Sequence, residues 1–196
     1  MKQDTKLARA FYNRDTAQVA QDLLGKHLVH LHDGIERRGK IVEVEAYIGA
    51  HDLASHSSKG ITPRTKVMYG PPGYAYVYLI YGMYHCMNVV TEPEGNGAAV
   101  LIRALEPVAN VDGNTKGPGL LCRAMRIDKR LNGHDLLSDD FHIAAPLQQE
   151  SFSIVERPRI GVAYAQHWAA EHLRFYINGN PCVSKKYTRC HRNINA

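Results

Sequence analysis

Cysteine is scarce in this 196-residue chain, and its four cysteines stand far apart. No two of them form a C-x-x-C pair, so the sequence has neither the spacing of a zinc knuckle nor the framework of a disulfide-rich domain. We expect reduced thiols, as in a cytoplasmic protein, and we predict no metal and no other cofactor. The four positions are Cys86, Cys122, Cys182 and Cys190.

Long hydrophobic runs are also missing. No stretch approaches the roughly 20 apolar residues of a membrane-spanning helix. Residues 1–14 alternate charges with short apolar stretches and lack the apolar core of a signal peptide. There is no internal repeat, no low-complexity tract and no linker that divides the chain. We therefore expect one domain over residues 1–196, without membrane association.

Neither sign of charge dominates the chain. Lysine and arginine number 24 against 19 acidic residues, which gives a net charge of +5 and a pI of about 9.0. This balance is compatible with a nucleic-acid partner but does not establish one. Basic residues gather modestly at 123–130 and 185–192, and each group by itself is typical of a solvated face or tail.

The order of predicted elements favours an α+β fold with a largely antiparallel sheet, because strands, helices and hairpins alternate without regular βαβ units. Asp15 is the predicted cap of a helix over 16–24, and Asp33-Gly34 predicts a tight turn between two strands. Residues 138–150 are expected to be the least regular. The other predicted strands cover 26–31, 38–47, 98–106 (ended by Pro107), 152–155, 159–162 and 174–177, and the other predicted helices cover 118–126 and 134–137.

Tyrosine is concentrated in one segment, where six of the 11 tyrosines lie between Tyr69 and Tyr84. Residues 74–79 alternate tyrosine with apolar side chains, which predicts a strand, and residues 83–90 can return as a second strand. Tyr81 and Met83 would then lie at the tip of a β-hairpin. One interpretation is a tyrosine-rich sheet packed in a core. The other is an apolar tip that parts stacked bases of polyanionic DNA.

Residues 41–47 alternate as a strand whose one face carries Glu43, Glu45 and Tyr47, each about 7 Å from the next. Three interpretations are compatible with this spacing. The face could be the solvated side of an amphipathic strand, or Glu45 could be a catalytic base beside an aromatic wall. The two glutamates could also be the carboxylate pair of a glycoside hydrolase.

Arg103 lies within an otherwise apolar predicted strand, where an unpaired charge is costly. It must therefore pair with a carboxylate, for which Glu43, Glu45 and Glu106 are candidates, or hold a phosphate or a catalytic carboxylate. Asn88 follows the tyrosine segment. Its amide could read the edge of a bound group or satisfy backbone groups.

The segment 51–56 contains two histidines and an aspartate. His51 and His56 are five residues apart, which does not suit two metal ligands on one helix face, and no H-E-x-x-H motif is present. A loop histidine that orders its own backbone is the favoured interpretation.

Taken together and in order, these motifs resemble those of the alkyladenine (3-methyladenine) DNA glycosylase family, and the resemblance covers nearly the whole chain. The chain departs from the family pattern at Thr65 and Cys182, and residues 138–150 match no part of that pattern. The resemblance is carried by residues 38–49, 54–57, 62–64, 68–69, 72–73, 76–84 with Asn88, 100–107, 117–122, 158–161, 173–176 and 180–181.

The resemblance implies one compact domain with a curved sheet and a protruding hairpin that enters the DNA minor groove. Tyr81 would be the intercalating wedge that replaces a flipped nucleotide, supported by Met83. Tyr47, Tyr78 and His56 would form the walls of the pocket that receives the extruded base.

The resemblance also implies the chemistry. Glu45 would be the general base that activates water, with Arg103 beside the water and phosphate, and Asn88 would crowd a guanine amino group. The substrate would be double-stranded DNA with alkylated or deaminated purines, of the 3-methyladenine, 7-methylguanine, hypoxanthine and ethenoadenine type. We expect a monomer that leaves an abasic site without strand cleavage, at the nucleoid of a bacterium or in a eukaryotic nucleus. A non-catalytic damaged-DNA binding module and a glycoside hydrolase are the alternatives.

Overall fold

One nine-stranded antiparallel sheet is the frame of the residues that the computed structural model describes, 4–148 and 150–184. Its order is β1-β7-β2-β3-β6-β5-β4, and β9 pairs with both β3 and β8. The strands are β1 Thr5–Lys6, β2 His27–His32, β3 Ile35–Tyr47, β4 Ala75–Ile80, β5 Tyr84–Thr91, β6 Ala98–Ala109, β7 Phe141–Ala145, β8 Ile154–Arg157 and β9 Arg174–Ile177. The predicted α+β class with a mostly antiparallel sheet is confirmed.

Helices are few and short in the described ranges. The α-helices are α1 Arg9–Tyr12, α2 Thr16–Leu23 and α3 Pro118–Ala124, and 3₁₀ turns cover His56–Lys59, Lys66–Tyr69, Lys129–Leu131 and Gln166–Ala169. None of these described helices is long and apolar enough to span a membrane. Val19, Ala20 and Leu23 of α2 are buried in the same apolar cluster as Val42 and Val44 of β3. This cluster packs helix against sheet behind the strand that carries the glutamates.

Local signals at chain turns and helix starts are confirmed. The Asp15 side chain accepts a hydrogen bond from the Gln18 backbone N–H at the start of α2. Asp33 and Gly34, with φ of 52° and 72°, form the turn between β2 and β3. Such positive values at both central residues match the twist of a two-residue hairpin. Both signals act within four residues, so distant contacts do not override them.

Several predicted element boundaries are wrong. Residues 138–150 contain β7, which inserts between β1 and β2 with Phe141 and Ile143 fully buried. β6 continues past Pro107, since that residue lies at a register irregularity opposite β3 and needs no ladder N–H there. Residues 134–137 are not helical, and 159–162 form no strand.

Strands β4 and β5 pair from Ala75↔Val89 to Ile80↔Tyr84, and residues 81–83 make the turn. Tyr81 is 84% exposed and Met83 is 65% exposed. At the other end of the same strands, Tyr76 is buried in a small cluster with Met68, Val90 and Ala99. The tyrosine segment is therefore packed in a core at one end and exposes apolar side chains at the other, while the insertion of these side chains into DNA stays a prediction.

The cysteines and the basic group near the end of the chain are only partly within the described residues. Cys86, Cys122 and Cys182 are free thiols. Cys190 and the basic group 185–192 lie outside the described part of the chain, as do the ends of the domain expected over 1–196.

Candidate active site

Glu45 is a fully buried carboxylate near the end of β3. Its Oε2 accepts hydrogen bonds from the Tyr47 hydroxyl at 2.9 Å and from Arg103 Nη1 at 3.1 Å. Its Oε1 accepts the Ile160 backbone N–H at 2.7 Å. Three donors therefore hold this buried carboxylate in one position near the end of β3.

Arg103 of β6 joins the two glutamates of β3. Its Nε donates to Glu43 Oε1 at 3.1 Å while Nη1 donates to Glu45. Burial by itself would lower the pKa of Arg103, but Glu45 and Glu43 outweigh this effect and raise the pKa above its ordinary value. The guanidinium therefore stays charged and holds Glu45 in place, as the pairing interpretation of Arg103 required.

Glu43 and Glu45 have different surroundings although both are fully buried. Glu43 also accepts hydrogen bonds from Arg174 Nη1 at 2.9 Å and from the Ser184 backbone N–H at 2.7 Å. It is therefore tied to β9 and to the following segment. The solvated-strand interpretation of this face is wrong, because both carboxylates are fully buried and bound by Arg174, Ser184 and Ile160.

A small pocket lies beside Glu45. Its cavity measures about 40 Å³ and is lined by Tyr47, Ala54, His56, Met68, Tyr76, Tyr78 and Asn88. The Tyr47 hydroxyl connects this pocket to the Glu45 carboxylate. The structure thus brings together all four predicted pocket residues, Tyr47, His56, Tyr78 and Asn88.

Aromatic groups form one side of the pocket. The His56 and Tyr78 rings meet edge to face, with centroids 4.6 Å apart, and His56 Nδ1 lies 3.0 Å from the Tyr76 hydroxyl. Burial, helped by Arg64, lowers the pKa of His56, so its imidazole is neutral at pH 7. Burial raises the pKa of Tyr78, and burial with the nearby Glu45 raises that of Tyr47. The walls are therefore uncharged rings.

Asn88 also lines the pocket, and its Nδ2 donates to the Tyr76 backbone carbonyl at 3.0 Å. This bond fixes the amide within the β4–β5 pair. The interpretation that the Asn88 amide satisfies a backbone group is confirmed. Its role in reading a bound group stays a prediction. Tyr81 and Met83 are placed outside the pocket lining, at the turn between the two strands.

Asp52, one of the possible metal ligands, is instead the partner of Arg159. The pair is fully buried, with Arg159 Nη1 on Asp52 Oδ2 and Nη2 at 2.9 Å from Oδ1. Asp52 Oδ1 also accepts the Ala54 backbone N–H at 3.0 Å. Over the described ranges, no group of three or more potential metal ligands gathers.

Sequence reasoning missed four residues of this site. Ala54, Met68 and Tyr76 line the pocket, and Arg159 lies behind Tyr47 with its guanidinium carbon 4.8 Å from the ring centroid. The alternation in residues 74–78 could have identified Tyr76, which shares a strand face with Tyr78. No local pattern could have identified Arg159, since its partners Asp52 and Ala46 lie more than a hundred residues earlier.

Comparison with known proteins gives a consistent result. A family model described as Methylpurine-DNA glycosylase matches residues 10–181. A Legionella pneumophila (strain Paris) protein is 68% identical over 181 residues, covering 92% of this chain and 98% of the relative. Relatives from Anaeromyxobacter dehalogenans (strain 2CP-1) and Alkaliphilus oremlandii (strain OhILAs) are 54% and 50% identical, with 92% of this chain covered and 86% and 100% of the relative.

All three relatives carry the name "Putative 3-methyladenine DNA glycosylase". The family model spans most of the chain, and its residues include every predicted site residue. The resemblance seen in the sequence motifs is thereby confirmed, and this chain belongs to the methylpurine-DNA glycosylase family.

Proposed function

We propose that this protein excises alkylated or deaminated purines from duplex DNA by hydrolysing the N-glycosidic bond with a water activated by Glu45. The observation that carries the proposal is a fully buried carboxylate that shares a hydrogen bond with a wall of an aromatic pocket. Family membership supports a DNA-repair glycosylase for methylated purines. The lesion types are those named above, with 3-methyladenine and 7-methylguanine as cationic examples and hypoxanthine and ethenoadenine as neutral ones.

A base inside a duplex is out of reach of any buried carboxylate, so the nucleotide must be extruded first. The exposed tip of the β4–β5 pair suits this step. Tyr81 would fill the gap in the base stack and Met83 would support it, since both are large, apolar and solvent-exposed. Unstacking costs a few kcal/mol per step, which apolar wedges in the minor groove offset.

The extruded base would then lie against Tyr47, with Tyr78 and His56 completing the walls. Stacking on an aromatic side chain contributes about 1–3 kcal/mol per base. A cavity of about 40 Å³ holds only a few waters, by the rule that one water needs about 10–15 Å³. The walls must therefore part when a purine binds, and this movement would also uncover the buried Glu45.

The chemistry follows from the position of Glu45. The bond from the base nitrogen to the sugar C1′ breaks, its electron pair leaves with the base, and the sugar gains oxocarbenium character. Glu45 stabilises this charge and takes a proton from water, whose oxygen bonds to C1′. A cationic base leaves as a neutral molecule and the proton passes from Glu45 to solvent, whereas a neutral base leaves as an anion that takes up a proton. The products are the free base and an abasic site. Arg103 positions Glu45, and Asn88 would crowd the amino group of an undamaged guanine.

The test is Glu45→Gln, measured by single-turnover excision and by binding to lesion-containing duplex. Removing a general base should lower the rate by about 10²–10⁴-fold while binding is retained. Glu43→Gln is the matched control, because Glu43 is equally buried and also bound to Arg103. It should lower thermal stability but reduce excision much less.

Three outcomes separate the alternatives. Excision at a near-normal rate by Glu45→Gln contradicts the proposal. Lesion binding without excision by the natural protein supports the damaged-DNA binding module. Equal losses of activity in both glutamine variants, on a carbohydrate substrate, support a two-carboxylate glycoside hydrolase.

We further propose that one domain acts as a monomer on DNA, at the nucleoid in a bacterium or in the nucleus of a eukaryote.

A further inference from the structure

A buried ion pair supports Tyr47, the pocket wall on which a base would stack. The Arg159 guanidinium carbon lies 4.8 Å from the centroid of the Tyr47 ring. Both the Arg159 and Asp52 side chains are fully shielded from solvent. Because the guanidinium covers one face of the ring, only the opposite face remains for a base.

The charge on Arg159 is balanced by a bidentate contact with Asp52, whose two oxygens each meet one guanidinium nitrogen. The same pair holds several parts of the site. Arg159 donates to the Ala46 carbonyl at 2.9 Å and to the Trp168 carbonyl at 3.3 Å. The next residue, Ile160, donates its N–H to Glu45.

This arrangement has an electrostatic consequence for the pocket. A cation attracts the electron-rich face of an aromatic ring, and a purine alkylated at N3 or N7 is itself cationic. Without Asp52, the charge of Arg159 would not be balanced, and Tyr47 would lie between Arg159 and the positive charge of the cationic purine. With Asp52 present, the support is neutral and the outer face of Tyr47 is available to a cationic base.

We propose that Asp52, by neutralising Arg159 behind Tyr47, allows the pocket to accept cationic purines and so helps to set which lesions are excised. This inference rests on the proposed function, since it concerns bases that enter the same pocket. Asp52 acts through Arg159 and Tyr47, so it is a positioning and charge-balancing residue and does not itself touch the base.

The size of the effect follows from Coulomb's law. A base stacked about 3.5 Å above Tyr47 would lie roughly 8 Å from the Arg159 carbon, given the 4.8 Å on the other side of the ring. With an effective dielectric constant near 20, two unit charges at that distance repel enough to change an equilibrium on the order of tenfold or more. A neutral base would feel almost none of this repulsion.

The experiment compares single-turnover excision of 7-methylguanine, which is cationic, and hypoxanthine, which is neutral, at subsaturating enzyme. In Asp52→Asn, the rate ratio of 7-methylguanine to hypoxanthine should fall on the order of tenfold relative to the natural protein. Both rates come from one preparation, so an inactive fraction cancels from the ratio. Asp52→Ser is the second variant, because it removes the same charge and leaves room for a water if the asparagine variant does not fold.

Two further variants separate charge from support. Asp52→Asn combined with Arg159→Gln removes both charges, so the ratio should return toward the natural value even if both rates fall. Asp135→Asn is the matched control, because Asp135 pairs with Arg9 at 2.7 Å and Arg9 lies 4.9 Å from the Tyr74 ring centroid, outside the pocket lining. Its ratio should not change.

An unchanged ratio in the folded Asp52 variant overturns the proposal and shows that the ion pair is only a support. A ratio that stays low in the double variant overturns it as well. If the natural protein releases neither base, the proposed function itself is contradicted. That result differs from one in which both bases are released but the rate ratio does not change in the Asp52 variants.

Discussion

At the scale of single residues, the site depends on which groups satisfy each buried charge. Glu45 is bound by a tyrosine hydroxyl, a guanidinium and a backbone N–H. Glu43 is bound by two arginines and a backbone N–H. Of the two glutamates, Glu45 is therefore the one whose partner Tyr47 lines the pocket, and this difference supports the catalytic role proposed for it.

The engagement of Asp52 leads to a prediction about metals. Both of its oxygens contact Arg159, so Asp52 is not available as a metal ligand without breaking a buried ion pair. Breaking such an ion pair costs about 3–5 kcal/mol. Excision should therefore proceed at the same rate in EDTA as in its absence. Activity that EDTA abolishes and zinc or magnesium restores would show that segment 51–56 binds metal.

At the scale of elements, the β4–β5 pair changes character along its length. The part of the pair farther from the turn contributes Tyr76, Tyr78 and Asn88 to the pocket, and the turn leaves Tyr81 and Met83 in solvent. One pair of strands would therefore hold the proposed wedge and the proposed base-binding wall at a set distance from each other. That coupling requires the strand register from Ala75↔Val89 to Ile80↔Tyr84.

Tyr81→Ala tests this division of roles. Since Tyr81 is exposed, the free energy of unfolding should change by no more than about 0.5 kcal/mol. Non-specific affinity and its salt dependence come mainly from phosphate contacts and should also persist. A base-analogue fluorescence signal for extrusion should fall strongly. Val108→Ala, at an exposed apolar residue of β6, should leave that signal intact; extrusion unaffected by Tyr81→Ala would show that the wedge lies elsewhere.

At the scale of the whole molecule, one buried and two half-buried histidines link stability to pH. Burial lowers the pKa of His30, His56 and His142 below the ordinary value. Histidine is the side chain whose ordinary pKa lies between about pH 7.5 and 5.5. As pH falls through about 6.5, the unfolded chain takes up protons that the folded chain excludes.

Stability should therefore fall as pH decreases through this range, which thermal unfolding at several pH values measures. His30→Gln should make the dependence of Tm on pH shallower, because it removes one proton taken up on unfolding. His172→Gln, at an exposed histidine, is the control and should keep the slope. A Tm that rises on acidification, or a slope equally steep in His30→Gln, would contradict the prediction.

Short-range features were predictable from the sequence because their causes are local. The Asp15 cap, the Asp33-Gly34 turn and the shared face of Glu45 and Tyr47 depend on atoms a few residues apart. Ordered motifs identified the family, and they identified the four pocket residues through the resemblance.

What covers the glutamate face was decided only by the tertiary structure. Alternation predicts which side chains share a face of β3 but not what packs against that face. Glu45 meets Ile160 and Glu43 meets Arg174, 115 and 131 residues further along the chain. The insertion of β7 beside β2 and the pairing of Asp52 with Arg159 have the same origin. Each depends on long-range packing, which brings together groups that no local pattern relates.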